Sequence, residues 1–134
     1  MKSTLTTGLS ATRRVAIDTP RTIDFLGEEL RVYSTPSLLH DFEVACRELL
    51  LEHLDGGEDS VGTNVSMNHG GATLRGMNVN MTVTVSKIEG RLVTFDLLAK
   101  DDVEEISRGS HNRVVVDVER LRAKVAAKAA KVFK

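Results

Sequence analysis

TPSLLHDFEVACRELLLEHL, residues 35–54, decides the fold. Leu38, Leu39, Phe42, Ala45, Cys46, Leu49, Leu50 and Leu54 recur at steps of three and four, which is the spacing of one helix face. Thr35 reads as the N-cap and Pro36 as the first helical residue. Gly56 and Gly57 mark the end. The apolar stripe is wide, so the helix needs a large partner, and a sheet is the natural one.

Outward from the helix the chain alternates. Towards the C-terminus, Val61, Thr63, Val65, Met67 and His69 take turns with Gly62, Asn64, Ser66 and Asn68, a period of two that marks a strand. Gly70 and Gly71 stop it. Val79, Met81, Val83 and Val85 make a second run and Val93, Phe95 and Leu97 a third. Turns are read at Glu89-Gly90 and Asp101-Asp102, and a long strand from Glu104 to Val118 completes a meander. Towards the N-terminus, Arg13 to Asp18 reads as a short first strand, with Val15 and Ile17 on one face. Residues 19–34 are irregular, broken by Pro20 and Gly27, and suit a lid or a connection. Residues 1–10 are polar, rich in threonine and expected to be loose. The order is strand, long helix, four antiparallel strands: an α+β domain over residues 1–134, with the sheet curled around the helix. The open edge of such a sheet invites a second subunit.

Composition removes several functions. With 18 basic and 19 acidic residues the net charge is −1, so nothing draws the whole chain to nucleic acid or a membrane surface. Aromatic residues are only 4%, too few for a base-stacking platform. A single cysteine excludes an internal disulfide or a multi-cysteine metal centre. His40 and His53 are spaced wrongly for a helical zinc pair, and no metal site is expected. No apolar run is long enough to span a bilayer. Met1 to Ser10 has no apolar block, so no secretory signal is read and a cytoplasmic protein is expected. For that reason Asn64-Val65-Ser66 and Asn80-Met81-Thr82 are discounted as glycosylation sites. From Glu119 onward the chain is helical in propensity and basic, either a solvated helix or tail, or a weak attraction for a cofactor's phosphates.

Glu43 is the informative residue. It lies four after Leu39, three before Cys46 and seven before Leu50, inside the apolar line rather than with Asp41, Arg47 and Glu48 on the polar side. A carboxylate placed there either snorkels out at the edge of the stripe, or is paired or raised in pKa and so suited to act as a base or nucleophile. Thr35 is either a cap or a hydroxyl facing a pocket at the helix start. His69, on the more apolar side of its strand, is either a satisfied core residue or a catalyst. Gly62, inside a strand, permits close approach of a ligand or another backbone. Cys46 reads as core packing.

Taken together, Thr35, Glu43-Val44-Ala45-Cys46, Val61-Gly62-Thr63 and His69 resemble the fluoroacetyl-CoA thioesterase group of the hotdog-fold thioesterases. Val85 to Leu92 (VSKIEGRL), Asp102 to Ile106 (DVEEI), Gly109 to Arg113 (GSHNR) and Val118 to Val125 (VERLRAKV) extend the likeness, which covers about residues 34–126. The resemblance implies a hotdog fold, a homodimer with the active site near its interface, and no cofactor beyond the coenzyme A of the substrate. It places the family's catalytic threonine, glutamate and histidine on Thr35, Glu43 and His69. Its active-site glycine falls on Gly62 and a family arginine on Arg113, so Gly62, Thr63 and Arg113 are the expected substrate-binding residues. The segment before Thr35 is shorter than the family's lid region, with Phe25 and Tyr33 its only aromatics. Thioester hydrolysis is therefore carried over and the fluorinated substrate is not. The expectation is an acyl-CoA thioesterase for a short or small acyl group. Its rivals are a hotdog acyl-CoA hydratase or dehydratase, and a non-catalytic acyl-CoA-binding dimer.

Overall fold

The computed structural model describes residues 1–133. Helix α1 runs from Thr35 to Leu51 and is capped one residue earlier than expected: the Ser34 hydroxyl accepts from Ser37 N at 3.2 Å, leaving the Thr35 side chain free. At the other end α1 stops at Leu51, with Glu52 as C-cap, ahead of the two glycines. Leu38, Phe42, Ala45, Cys46, Leu49 and Leu50 are buried. Burying side chains of this kind is worth about 1.5–3 kcal/mol for each large one, so the stripe anchors the helix. The same stripe also buries Asp41, which the spacing had assigned to the polar side. It is buried because Arg21 and Tyr33 reach it from the connecting segment.

Five strands form one antiparallel sheet: β1 (Ser10–Ala16), β2 (Glu58–Met67), β3 (Asn78–Glu89), β4 (Leu92–Lys100) and β5 (Glu105–Asp117), in spatial order β1-β3-β4-β5-β2. The meander expected from β2 to β5 holds for β3, β4 and β5 only. β2 pairs with β5 at the far edge, because the chain after Met67 crosses over and sets β3 beside β1. The crossing is tied down by Tyr33 N donating to Thr73 O at 2.8 Å and by a bridge between Val32 and Leu74. α1 touches both edge strands, β1 and β2, as well as β3, so the sheet wraps it. Alternate residues of the strands, among them Val79, Met81, Phe95 and Ile106, meet the helix in one core.

The start of the chain is docked rather than loose. Leu5 is buried, Lys2 N donates to His53 O and Gly8 N to Val85 O, each at 2.8 Å. A polar composition hid one leucine that fills the end of the core. Residues 19–34 form two short 3-10 turns, Thr19–Arg21 and Glu28–Leu30, with Phe25, Leu26 and Leu30 exposed. Helix α2 (Val118–Ala130) follows β5 directly and none of its residues is buried; Lys134, the last of the basic segment, lies outside the described residues.

Candidate active site

Two polar clusters flank α1. The first is at its N-terminus. Thr35 Oγ1 lies 2.8 Å from His69 Nδ1. His69 does not sit on a strand as expected: β2 ends at Met67, and the histidine is held in the loop beyond it. That loop still follows β5, with Asn68 N donating to Arg108 O at 3.0 Å and Gly70 N to Ile106 O at 2.8 Å. His69 Nε2 is buried and has no hydrogen-bond partner, and burial lowers the imidazole's pKa below its ordinary value. A buried polar atom left unpaired is rare enough to need a reason, and a substrate atom is one.

Behind this pair is a network that the spacing did not reveal. Tyr33 is buried with its ring edge-on to His69, the centroids 6.2 Å apart. Its hydroxyl donates to Asp41 Oδ2, and Arg21 donates from Nε and Nη2 to the same carboxylate at 2.9 and 3.2 Å. Burial and the Asp41 carboxylate both push the tyrosine's pKa well up, so it is a fixed donor.

The second cluster is half-way along α1. Glu43 is not sequestered within one chain: its side chain keeps 40% of its exposure, and Arg113 Nη1 donates to its Oε2 at 3.1 Å. Arg113 itself is 5% exposed. Its Nε donates to Ser60 Oγ at 2.8 Å and its Nη2 to Ser60 O at 2.9 Å, so the guanidinium expected to hold substrate is committed to the protein. Gly62 sits against the carboxylate. A Cβ built there would lie 2.7 Å from Glu43 Oε2 and 3.0 Å from His111 Cε1, so glycine is what leaves the carboxylate its present place. The ladder between β2 and β5 slips between Gly62 and Asn64, leaving Thr63 as the extra residue of a bulge; its Oγ1 donates to Asn112 O at 3.3 Å. Bulges of this kind re-aim side chains beside active sites. A cavity of about 300 Å³ opens here, lined by Glu43, Gly62, Thr63, Asn64, Val65 and His111. Cys46 is buried behind the site, its thiol pushed up to about 12 by burial, and is inert packing as expected.

The chain thus brings Thr35 to His69, and Glu43 to Gly62, Thr63 and Arg113, but among the described residues it makes no hydrogen bond between the two groups. Sequence reasoning missed His111, Ser60 and Asp41. The alternation His111, Arg113, Val115 along one strand face was the available signal for the first.

A long helix wrapped by a five-stranded antiparallel sheet is the hotdog fold, the class to which thioesterases of similar structure belong. A sequence profile described as the fluoroacetyl-CoA-specific thioesterase matches residues 17–119. The chain is 35% identical over 97 residues to the fluoroacetyl-CoA thioesterase of Streptantibioticus cattleyicolor, covering 72% of this chain and 70% of that protein. A crystal structure of a fluoroacetyl-CoA thioesterase superposes with a TM-score of 0.84 at 30% identity, over 92% of this chain and 97% of that one. A hypothetical protein of Thermus thermophilus, described as a thioesterase superfamily member, gives 0.86 at 25% identity over 96% of each chain. The protein belongs to the fluoroacetyl-CoA-specific thioesterase family, and it is a thioester hydrolase acting on acyl-CoA.

Proposed function

We propose that the protein is a cytoplasmic homodimer that hydrolyses the thioester of a short or small acyl group on coenzyme A, using Thr35, Glu43 and His69. Glu43 takes a proton from water as the water oxygen attacks the thioester carbonyl. The resulting oxyanion collapses and the C–S bond breaks; the proton that Glu43 took from water passes to the departing thiolate, which restores the carboxylate, while His69 Nε2–H hydrogen-bonds the sulfur and assists that transfer. The free acid and coenzyme A leave. Thr35 holds the imidazole through Nδ1, and Arg113 fixes the carboxylate. A thiol with a pKa near 8.5 is already a fair leaving group, so activating the attacking water matters more than assisting departure. The observation that carries this reading is the unpartnered, buried His69 Nε2 beside the freed Thr35 hydroxyl.

The distance along α1 favours a site shared between two protomers. Thr35 and Glu43 are eight residues apart, about 12 Å of helix rise, and among the described residues no hydrogen bond joins Glu43 to the Thr35–His69 pair. A site holding all three groups therefore takes the carboxylate from one protomer and the Thr35–His69 pair from its partner. The edge strand β2 supports the pairing: it has a neighbour on one side only, β5, and Val61 is 40% exposed, so its free backbone groups are open to a second copy. The experiment is a thiol-release assay over acyl-CoA esters of increasing length. The smallest esters should give the highest kcat/KM. Glu43→Gln should keep its fold and lose at least about 100-fold in kcat, the lower end of what positioned acid–base catalysis provides. A folded Glu43→Gln protein with near wild-type kcat removes the mechanism.

A further inference from the structure

The partners of His111 fix its chemical form. The imidazole is buried, 3% exposed, between two groups that can each play only one part. Its Nδ1 lies 2.8 Å from the carbonyl oxygen of Asn64, which can only accept, so Nδ1 carries the hydrogen. Its Nε2 lies 3.1 Å from Arg113 Nη1, which can only donate, so Nε2 is bare. The two hydrogens on Nη1 are then shared out, one to His111 and one to Glu43. Asn64 is the residue immediately after the bulge that sets Gly62 against the carboxylate.

We propose that His111, as the neutral imidazole protonated on Nδ1, is a positioning residue for the Glu43 carboxylate, acting through Arg113 on one side and through the β2 bulge on the other. With Nε2 as acceptor, the guanidinium is turned so that its remaining Nη1 hydrogen points at Glu43 Oε2. Without an acceptor there, one Nη1 hydrogen loses its partner, and only Ser60 and Glu43 itself still orient the planar fork. This rests on the reading of Glu43 as the base.

Asparagine and glutamine separate the two bonds. His111→Asn reproduces the donor at the Nδ1 position and drops the acceptor, whereas His111→Gln carries an acceptor out to the Nε2 position. At equal folded fraction, His111→Asn should lose about 10–100-fold in kcat with little change in KM, the usual cost of removing a partner that orients a reacting group. His111→Gln should recover most of that loss. Equal kcat in the two variants, whether both wild-type or both lowered in step with their stability, overturns the proposal, as does a higher kcat for asparagine. Should either variant fail to fold, ¹⁵N imidazole spectra of the intact wild-type protein decide: neutral His111 protonated on Nδ1 supports the proposal and protonation on Nε2 refutes it. Glu43→Gln is assayed alongside. Full activity there sinks the reading of Glu43, whereas an inactive Glu43→Gln beside a fully active His111→Asn sinks this inference alone.

Discussion

Glu43 is held in place by a guanidinium rather than by burial, and that changes what its neighbours have to do. Arg113 supplies the countercharge, His111 and Ser60 hold Arg113, and Gly62 leaves room for the carboxylate. Both histidines of the two clusters have pKa values depressed below the ordinary 6.5, His69 by burial alone, His111 by burial first and by Arg113 second. A group whose folded-state value is depressed takes up protons more readily when the chain is unfolded. The stability that these two contribute is therefore complete above about pH 6.5 and is lost as the pH falls through their lower folded-state values. Urea-unfolding midpoints measured from pH 7.5 down to 5.5 should fall with pH. A flat or rising series contradicts the depressed values. The residue scale is also where spacing misled most. Glu43 was legible because a charge stood inside an apolar line. Asp41 was not, because a polar residue beside the stripe looks solvated until Arg21 and Tyr33, distant in sequence, arrive to satisfy it. His111 was harder to read for a similar reason: the Asn64 carbonyl that fixes its tautomer comes from the pairing of β5 with β2.

At the scale of the element, the bulge in β2 does the positioning. Pairing runs Gly62 with Arg113 and then Asn64 with Asn112, so one extra residue lets Gly62 approach α1 while Thr63 faces the cavity. A methyl group at Gly62 would meet the end of a flexible side chain, not backbone, so the fold can absorb it but the carboxylate cannot stay where it is. Gly62→Ala should melt within a few degrees of wild type yet lose about 100-fold in kcat, the effect expected of moving a reacting group by about an ångström. Wild-type turnover in that variant would show that Glu43 does not need its present position. Element existence was readable throughout, since period two and period 3.6 separate cleanly here. Boundaries and partners were less so. The cap fell on Ser34 instead of Thr35 because both are good capping residues and only the local backbone chooses. The place of β2 at the far edge depended on a crossover that no local pattern records.

At the scale of the whole molecule, the fold followed from the helix stripe and the alternation after it, and the family likeness fixed the rest. On the proposed reading, one chain holds only parts of the site. Among the described residues no hydrogen bond joins the Glu43 carboxylate to the Thr35–His69 pair, and β2 lies at the edge of the sheet. The proposed twofold dimer, joined through that edge, would bring the two groups into one site. The direct test mixes two inactive proteins, Glu43→Gln and His69→Ala, under conditions that allow subunits to exchange, and assays thiol release. In a shared site, each hybrid dimer has one site carrying both lesions and one carrying neither. Activity should then return to about a quarter of the wild-type rate with random pairing in a twofold dimer. If exchange is demonstrated and no activity returns, each site is built from one chain and the account of a shared active site is wrong.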